Sequence, residues 1–250
     1  MSLRLLRPAS LLQNLASQCA VCHSWPARRI CAPCVARFSQ YLARCNTCAL
    51  GLPPGLLPER GRSSGQCASC LRQAPPLDAC FAAVAYAYPW SALLADYKFG
   101  KDPAWAQVFA SLLGHVSGLP ETLATLQAQD FLIPMPLSIE RLQSRGFNQA
   151  WELTKALASQ NQTPARCDAR LLLRIKHTLP QAQLKREARM ENVKGAFVVD
   201  PLRVPELNKR RVLLVDDVMT SGASLFAAAQ ALRDAGVAHV TGVVFARTEN

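Results

Sequence analysis

Eight of the chain's ten cysteines lie between residues 19 and 70, as four C-x-x-C pairs: Cys19/Cys22, Cys31/Cys34, Cys45/Cys48 and Cys67/Cys70. No other feature limits the N-terminal fold as strongly. A C-x-x-C turn presents two thiolates at the bite of one tetrahedral ion, so two pairs close one structural zinc site and four pairs make two. The segment around them contains "GLPPGLLPERGRSSGQC", is rich in Pro and Gly and has little apolar periodicity. Such a module is too small to hold itself together by burial alone, and metal is the expected staple. In a reducing cytosol, ten cysteines favour metal ligation over disulfides.

Spacing also sorts the pairs. "CVARFSQYLARC" and "CLRQAPP" place the second and fourth pairs at helix starts, which leaves the first and third as turn-like knuckles. This favours Cys19, Cys22, Cys31 and Cys34 on one ion and Cys45, Cys48, Cys67 and Cys70 on the other, over an interleaved arrangement. "CAVCH" matches the haem-attachment pattern formally, but that chemistry requires export. The start "MSLRLLRPASLLQNLASQC" does not support export, because Arg7 and Pro8 interrupt any signal-like apolar stretch. His23 is expected to have no ligand role, and four tandem pairs weaken a redox reading.

The formal charge of +11 points to an acidic partner: nucleic acid, a phosphorylated ligand or an anionic membrane surface. Residues 1–79 hold nine arginines against two acidic residues. Each zinc with four thiolates carries net negative charge, so metal offsets much of that surplus and weakens the case for a strongly basic DNA-binding finger. No stretch has eighteen consecutive apolar residues, so no membrane-spanning helix is expected and the protein is read as cytoplasmic.

The texture changes near residue 78, giving a cysteine-rich module over 1–78 and a second domain over 79–250. "CFAAVAYAY" reads as a strand, and residues 90–99 and 103–117 as helical. "DFLIPMPL" reads as a short buried strand entering a loop, and "SIERLQSRGFNQAWELTKALASQ" as one helix or a helix pair. "RVLLV", a loop, a helix from about Ser224 to Asp234 and "HVTGVVFA" then form a strand, helix, strand unit. This order predicts an α/β domain with a mainly parallel sheet flanked by helices.

The apolar run "RVLLV" ends in two adjacent carboxylates, Asp216 and Asp217, followed by Thr220, Ser221, Gly222, Ala223 and Ser224. In parallel α/β sheets, ligands bind beyond the carboxyl ends of strands, where the next helix presents unpaired N–H groups. Hydroxyls, a glycine and a helix N-terminus suit a phosphate. The two carboxylates would repel that phosphate at close range, and suit the hydroxyls of a ribose. A sugar phosphate satisfies both halves. Simple helix capping by Asp216 would explain one carboxylate and leave the loop unexplained. "VLLVDD" also opens response-regulator receiver domains, but too little chain follows it to complete such a sheet.

"VLLVDDVMTSGAS" resembles the phosphoribosyl pyrophosphate (PRPP) motif of type I phosphoribosyltransferases. "ICAPC", "CASCLRQAPP", "YKFGKD", "PMPLSIERLQSRGFNQA" and "HTLPQAQLKREARMENVKGAF" then run in the order of the ComF competence-protein family, which includes the GntX-like DNA-utilisation proteins. The resemblance covers nearly the whole chain. It implies a type I phosphoribosyltransferase-like fold with an N-terminal zinc-binding module, acting in natural competence or the use of imported DNA. By the same resemblance Asp216 and Asp217 hold the ribose 2′- and 3′-hydroxyls, while Thr220, Ser221, Gly222, Ala223 and Ser224 hold the 5′-phosphate. Pyrophosphate would fall to Arg141 and Arg145, one helical turn apart, with Lys185, Arg186 and Arg189 on a closing loop. Mg²⁺ would arrive with the pyrophosphate.

Two functions follow from these residues. An enzyme would transfer phosphoribose from PRPP to an acceptor that the sequence does not identify. A non-catalytic module would sense PRPP or a nucleotide and engage single-stranded DNA and the uptake machinery. The basic stretch from Arg166 to Lys194 has no aromatic residue, which offers phosphate contact without base stacking. Tyr86, Tyr88, Trp90, Trp105 and Trp151 are expected to pack cores or their margins. Cys80 and Cys167 are expected to be small buried residues.

Overall fold

A computed structural model describes residues 16–53, 65–176, 193 and 195–249. Contacts divide the chain into two units, 1–41 and 42–250, so the boundary expected near residue 78 falls inside the second.

In the first unit an antiparallel bridge joins Ser17 to Ala27, and helix α1 spans Ala32–Phe38. Cys31 is the N-cap of α1 and Pro33 sits in its first turn, where a missing N–H costs no helical bond. Helix α2, Ala68–Arg72, opens the same way in the second unit, with Cys67 at its N-cap. Both predicted helix starts are therefore present.

The second unit is built on strands β1 (Ala79–Ala85), β2 (Phe131–Pro134), β3 (Arg166–Cys167), β6 (Arg211–Met219) and β7 (His239–Arg247), in the order β1-β7-β6-β2-β3. Every pairing in this sheet is parallel. A parallel sheet must be covered on both faces, which is why β2 is buried at all four positions and the interior of β7 is apolar almost throughout. A two-stranded antiparallel hairpin of β4 (Leu172–Arg174) and β5 (Phe197–Val199) stands apart from it. These strands are too short and too charged at their margins to be read from periodicity.

Helices α3 (Trp90–Phe99), α4 (Trp105–Leu113) and α5 (Leu119–Ala124) connect β1 to β2, while α6 (Ile139–Arg145) and α7 (Gln149–Asn161) connect β2 to β3. The short helix α8 (Val204–Leu207) precedes β6, and α9 (Ala223–Asp234) joins β6 to β7. "SIERLQSRGFNQAWELTKALASQ" resolves into a helix pair. Gly146 ends α6 in the left-handed region at φ 82°, and Asn148 caps α7 by accepting from the Ala150 and Trp151 amides.

Two cores result. On one face Trp90, Tyr97, Trp105 and Phe109 pack with Phe245 of β7, with the Phe109 and Phe245 rings stacked at 4.0 Å. The other core brings Leu77, Cys80, Leu214, Leu225, Ala228 and Val244 together with Cys45, Cys48, Cys67 and Cys70. The second cysteine quartet thus belongs to the core that covers the sheet. Its knuckle also covers the β1 edge, where the Cys80 amide donates to Asn46 O at 2.7 Å. Trp90 and Trp105 are buried, as their size predicts, whereas Tyr86 and Tyr88 are exposed, Tyr88 by 66%, contrary to the expectation that they pack a core or its margin. Cys80 is buried, and that burial pushes its thiol up to about 12.

Candidate functional site

The strand that carries the carboxylate pair does not stop before it. β6 continues to Met219, with Val218 opposite Ala246 and Met219 opposite Arg247. Asp216 and Asp217 therefore lie within the strand and, as successive residues, face opposite sides of the sheet. Asp217 is 7% exposed and faces Lys98 of α3, with Nζ 3.1 Å from its Oδ2. Asp216 turns its Oδ1 back onto the Asp217 amide at 2.8 Å. Burial, and then the Asp217 charge, push the Asp216 carboxyl up to about 7.

The chain leaves β6 through Thr220 and Ser221 and enters α9 at Gly222, whose φ is 84°. A Cβ there would lie 2.6 Å from both Met219 Cε and Phe226 Cζ, so both the backbone angle and the packing require glycine. Ser221 Oγ accepts from the Ala223 amide at 3.4 Å, and Phe226 N donates to Gly222 O at 2.8 Å. The first-turn amides of a twelve-residue helix converge here without intrahelical acceptors. The structure thus assembles Asp216, Asp217, Thr220, Ser221, Gly222, Ala223 and Ser224 on one strand, loop and helix start, at the C-terminal edge of the sheet.

Cationic groups surround this edge. Arg145 at the end of α6 is withdrawn from water, which lowers its pKa, while the Asp217 charge acts in the opposite sense and the neighbouring Arg141 lowers it further. Its guanidinium lies 5.5 Å from the Phe99 ring centroid and donates to Gln149 Oε1 at 2.9 Å. Arg174 of the hairpin is lowered by burial and then by Arg141, and the Asp216 charge offsets part of this. Arg145 and Arg174, each within the field of Arg141 and of the carboxylate pair, form a site suited to an anion bearing hydroxyls. Lys185, Arg186 and Arg189 lie outside the described residues.

Six buried side-chain polar atoms have no hydrogen-bond partner among the described residues. Two of them, Ser138 Oγ and Gln149 Nε2, belong to the loop after β2 and the start of α7, while a third, Asp217 Oδ2, is met by the Lys98 ammonium at 3.1 Å as an ion pair. Buried polar atoms are normally satisfied, so orphans on segments that meet at one edge are what a ligand site leaves in its absence. Lys98, Ser138, Gln149 and Arg174 extend the site beyond the residues singled out from sequence. Lys98 stands in "YKFGKD" at the end of a helix beside an exposed Phe99, a faint signal. Ser138 and Gln149 stand in "PMPLSIERLQSRGFNQA" with nothing to single them out there, and Arg174 has no signal.

The cysteines gather as two quartets, Cys19/Cys22/Cys31/Cys34 and Cys45/Cys48/Cys67/Cys70, each with its four Sγ atoms within 4.8 Å of one another. Ligands of a tetrahedron with 2.3 Å zinc–sulfur bonds lie about 3.8 Å apart. Cys22 to Cys31 and Cys48 to Cys67, both 3.6 Å, match that spacing, and either quartet could hold zinc. Backbone amides prepare the ligands: Cys31 N points at Cys19 Sγ at 3.3 Å. A hydrogen bond from Cys48, followed by amides of Cys67, Cys48 and Thr47, holds the Cys45 thiol well down despite burial.

The phosphoribosyl transferase domain family matches residues 166–249, the segment from β3 through the T-S-G loop to the end of β7. With a parallel sheet and two cysteine quartets, the chain is a phosphoribosyltransferase-like protein carrying a cysteine-rich region. Competence protein F of Haemophilus influenzae is 32% identical over 174 residues, covering 70% of this chain and 75% of that protein. The DNA utilization protein YhgH of Salmonella typhimurium is 30% identical over 211 residues, 84% of this chain and 87% of that protein. The chain belongs to the ComF family.

Proposed function

We propose that this protein binds PRPP at the C-terminal edge of β6 and acts in DNA uptake or the use of imported DNA, as the names of its relatives indicate for them. Asp216 and Asp217 take the ribose hydroxyls, and residues 220–224 take the 5′-phosphate. Arg141 and Arg145, joined by Arg174, take the pyrophosphate with Mg²⁺. The observation that carries this reading is the carboxylate pair continuous with a left-handed Gly222 at the start of α9, opposite the guanidinium cluster. Zinc in the two quartets is structural, since four thiolates leave no open position for catalysis.

The reaction that fits is transfer of phosphoribose with loss of pyrophosphate, through a transition state with positive charge on the ribose. The chain's own residues would position the two ends of PRPP and supply electrostatic stabilisation. The ion pair of Asp217 with Lys98, at 3.1 Å, supports a role for Asp217 in holding the ribose on this reading. Pyrophosphate release from PRPP, measured against a panel of bases, nucleotides and DNA fragments, tests turnover. Release that depends on one acceptor supports the enzyme.

The exposed rings of Tyr88, in the loop before α3, and of Phe99, at the end of α3 beside Arg145, favour a second reading. There, PRPP or a nucleotide is a signal, and single-stranded DNA stacks on these rings. Binding of PRPP without turnover, together with salt-sensitive DNA binding weakened by Tyr88→Ala, would select it.

A further inference from the structure

Arg247 ends β7 and is 6% exposed, and among the described residues it has no carboxylate partner. Each hydrogen bond it donates goes to a main-chain carbonyl. Nε reaches Cys48 O at 3.1 Å, and one terminal nitrogen reaches Met219 O at 3.2 Å, Thr248 O at 2.9 Å and Thr220 O. One side chain therefore joins a ligand residue of the second quartet to the two residues that open the T-S-G loop.

Two consequences follow from elementary geometry and charge. The C=O and N–H of a trans peptide point in opposite directions, so drawing the Met219 and Thr220 carbonyls onto Arg247 turns the Thr220 and Ser221 amides away from it. Those are the amides a phosphate at the loop would use. A buried guanidinium also needs a counter-charge, and a divalent ion held by four thiolates supplies net negative charge at the quartet to which Arg247 is bonded. A second strut runs in parallel: Thr248 N donates to Met219 O at 3.0 Å, while Glu249 accepts from Arg44 at 2.6 Å and from the Gly51 amide at 2.7 Å.

We infer that metal in the Cys45/Cys48/Cys67/Cys70 quartet sets the conformation of the T-S-G loop through Arg247, so that metal and a phosphate bind cooperatively. Arg247 is a positioning residue, and metal loss at the quartet relaxes the loop. The functional meaning rests on the phosphate role proposed above for that loop, but the coupling is measurable without any ligand.

Hydrogen exchange of the full-length chain reads it directly. Zinc-loaded protein is compared with Cys67→Ser, Arg247→Met, Arg247→Lys and the Cys67→Ser/Arg247→Met double variant, with β2 as an internal reference for global unfolding. Amides of 219–224 are expected to exchange about tenfold faster in each single variant to Ser or Met, with β2 unchanged in Arg247→Met and accelerated in Cys67→Ser only as far as its fall in global stability requires. The double variant should add little to either, and Arg247→Lys should recover part of the protection. Unchanged exchange in 219–224 after Arg247→Met, or fully additive effects in the double variant, would overturn the coupling. Calorimetry with PRPP and Mg²⁺ separates the two ideas, because absent binding to wild-type protein with intact coupling rejects the ligand and leaves the strut standing.

Discussion

The two cysteine quartets have the same ligands and the same C-x-x-C bite, yet different surroundings. Cys19, Cys22, Cys31 and Cys34 belong to a unit of 41 residues, and Cys22 is exposed. Cys45, Cys48, Cys67 and Cys70 are all buried and share a core with Leu77, Cys80 and α9. Metal in the first would organise a small unit that cannot bury enough surface of its own. In the second it would complete the covering of a sheet and, on the coupling inferred above, act through Arg247 on the candidate phosphate loop. Identical ligand chemistry thus carries two dependences, set by what the knuckle is packed against.

The sharpest way to break that comparison is one cysteine from each side. Cys67→Ser is expected to destabilise the 42–250 unit by more than about 3 kcal/mol, seen as a large fall in its thermal midpoint. An unchanged midpoint would show that the second quartet is an ornament on the sheet. Gly222→Ala, on the loop that this quartet supports, forces a side chain into the left-handed region and against Met219 and Phe226. A loss of about 2 kcal/mol is expected, with metal content at both quartets unchanged in elemental analysis.

A smaller effect concerns pH. The folded state raises the Asp216 carboxyl from 3.8 to about 7, so between those values the folded chain holds a proton that the unfolded chain has released. Stability from this group is fully present below pH ~4 and falls as pH rises through about 7. Asp216→Asn should remove that decline and stabilise the protein at pH 8 by on the order of 1–2 kcal/mol, with little change at pH 4. Denaturant midpoints at the two pH values measure it. The smallest effect is predicted for Cys31→Ser, which should release the first metal and shift the midpoint of the 42–250 unit by about 1 °C or less. Equal damage from Cys31→Ser and Cys67→Ser would erase the distinction between the quartets.

What could be read from sequence was local. "VLLVDDVMTSGAS" shows its strand, turn and helix start in thirteen letters because each part has its own short-range rule. The C-x-x-C spacing likewise groups the quartets before any fold is known. Arg141 and Arg145 were visible because both lie on one short helix. Lys98, Ser138, Gln149 and Arg174 join the site through tertiary packing, and Arg247 meets Cys48 across 199 residues of sequence. The strand's extension to Met219 was hidden for a related reason: a polar pair such as Asp216–Asp217 reads as a strand end until a neighbour like β7 is known to pair beyond it. The hairpin β4–β5 is too short for periodicity to register.

The central claim is that the edge formed by β6, the T-S-G loop and the guanidinium cluster is a PRPP site. Isothermal calorimetry of the zinc-loaded chain with PRPP and Mg²⁺ tests it most directly. Saturable, Mg²⁺-dependent binding is predicted, weakened about 100-fold in Asp217→Asn, which removes the charged acceptor beside Lys98. No binding by the wild-type chain, or equal binding by wild type and Asp217→Asn, would contradict it.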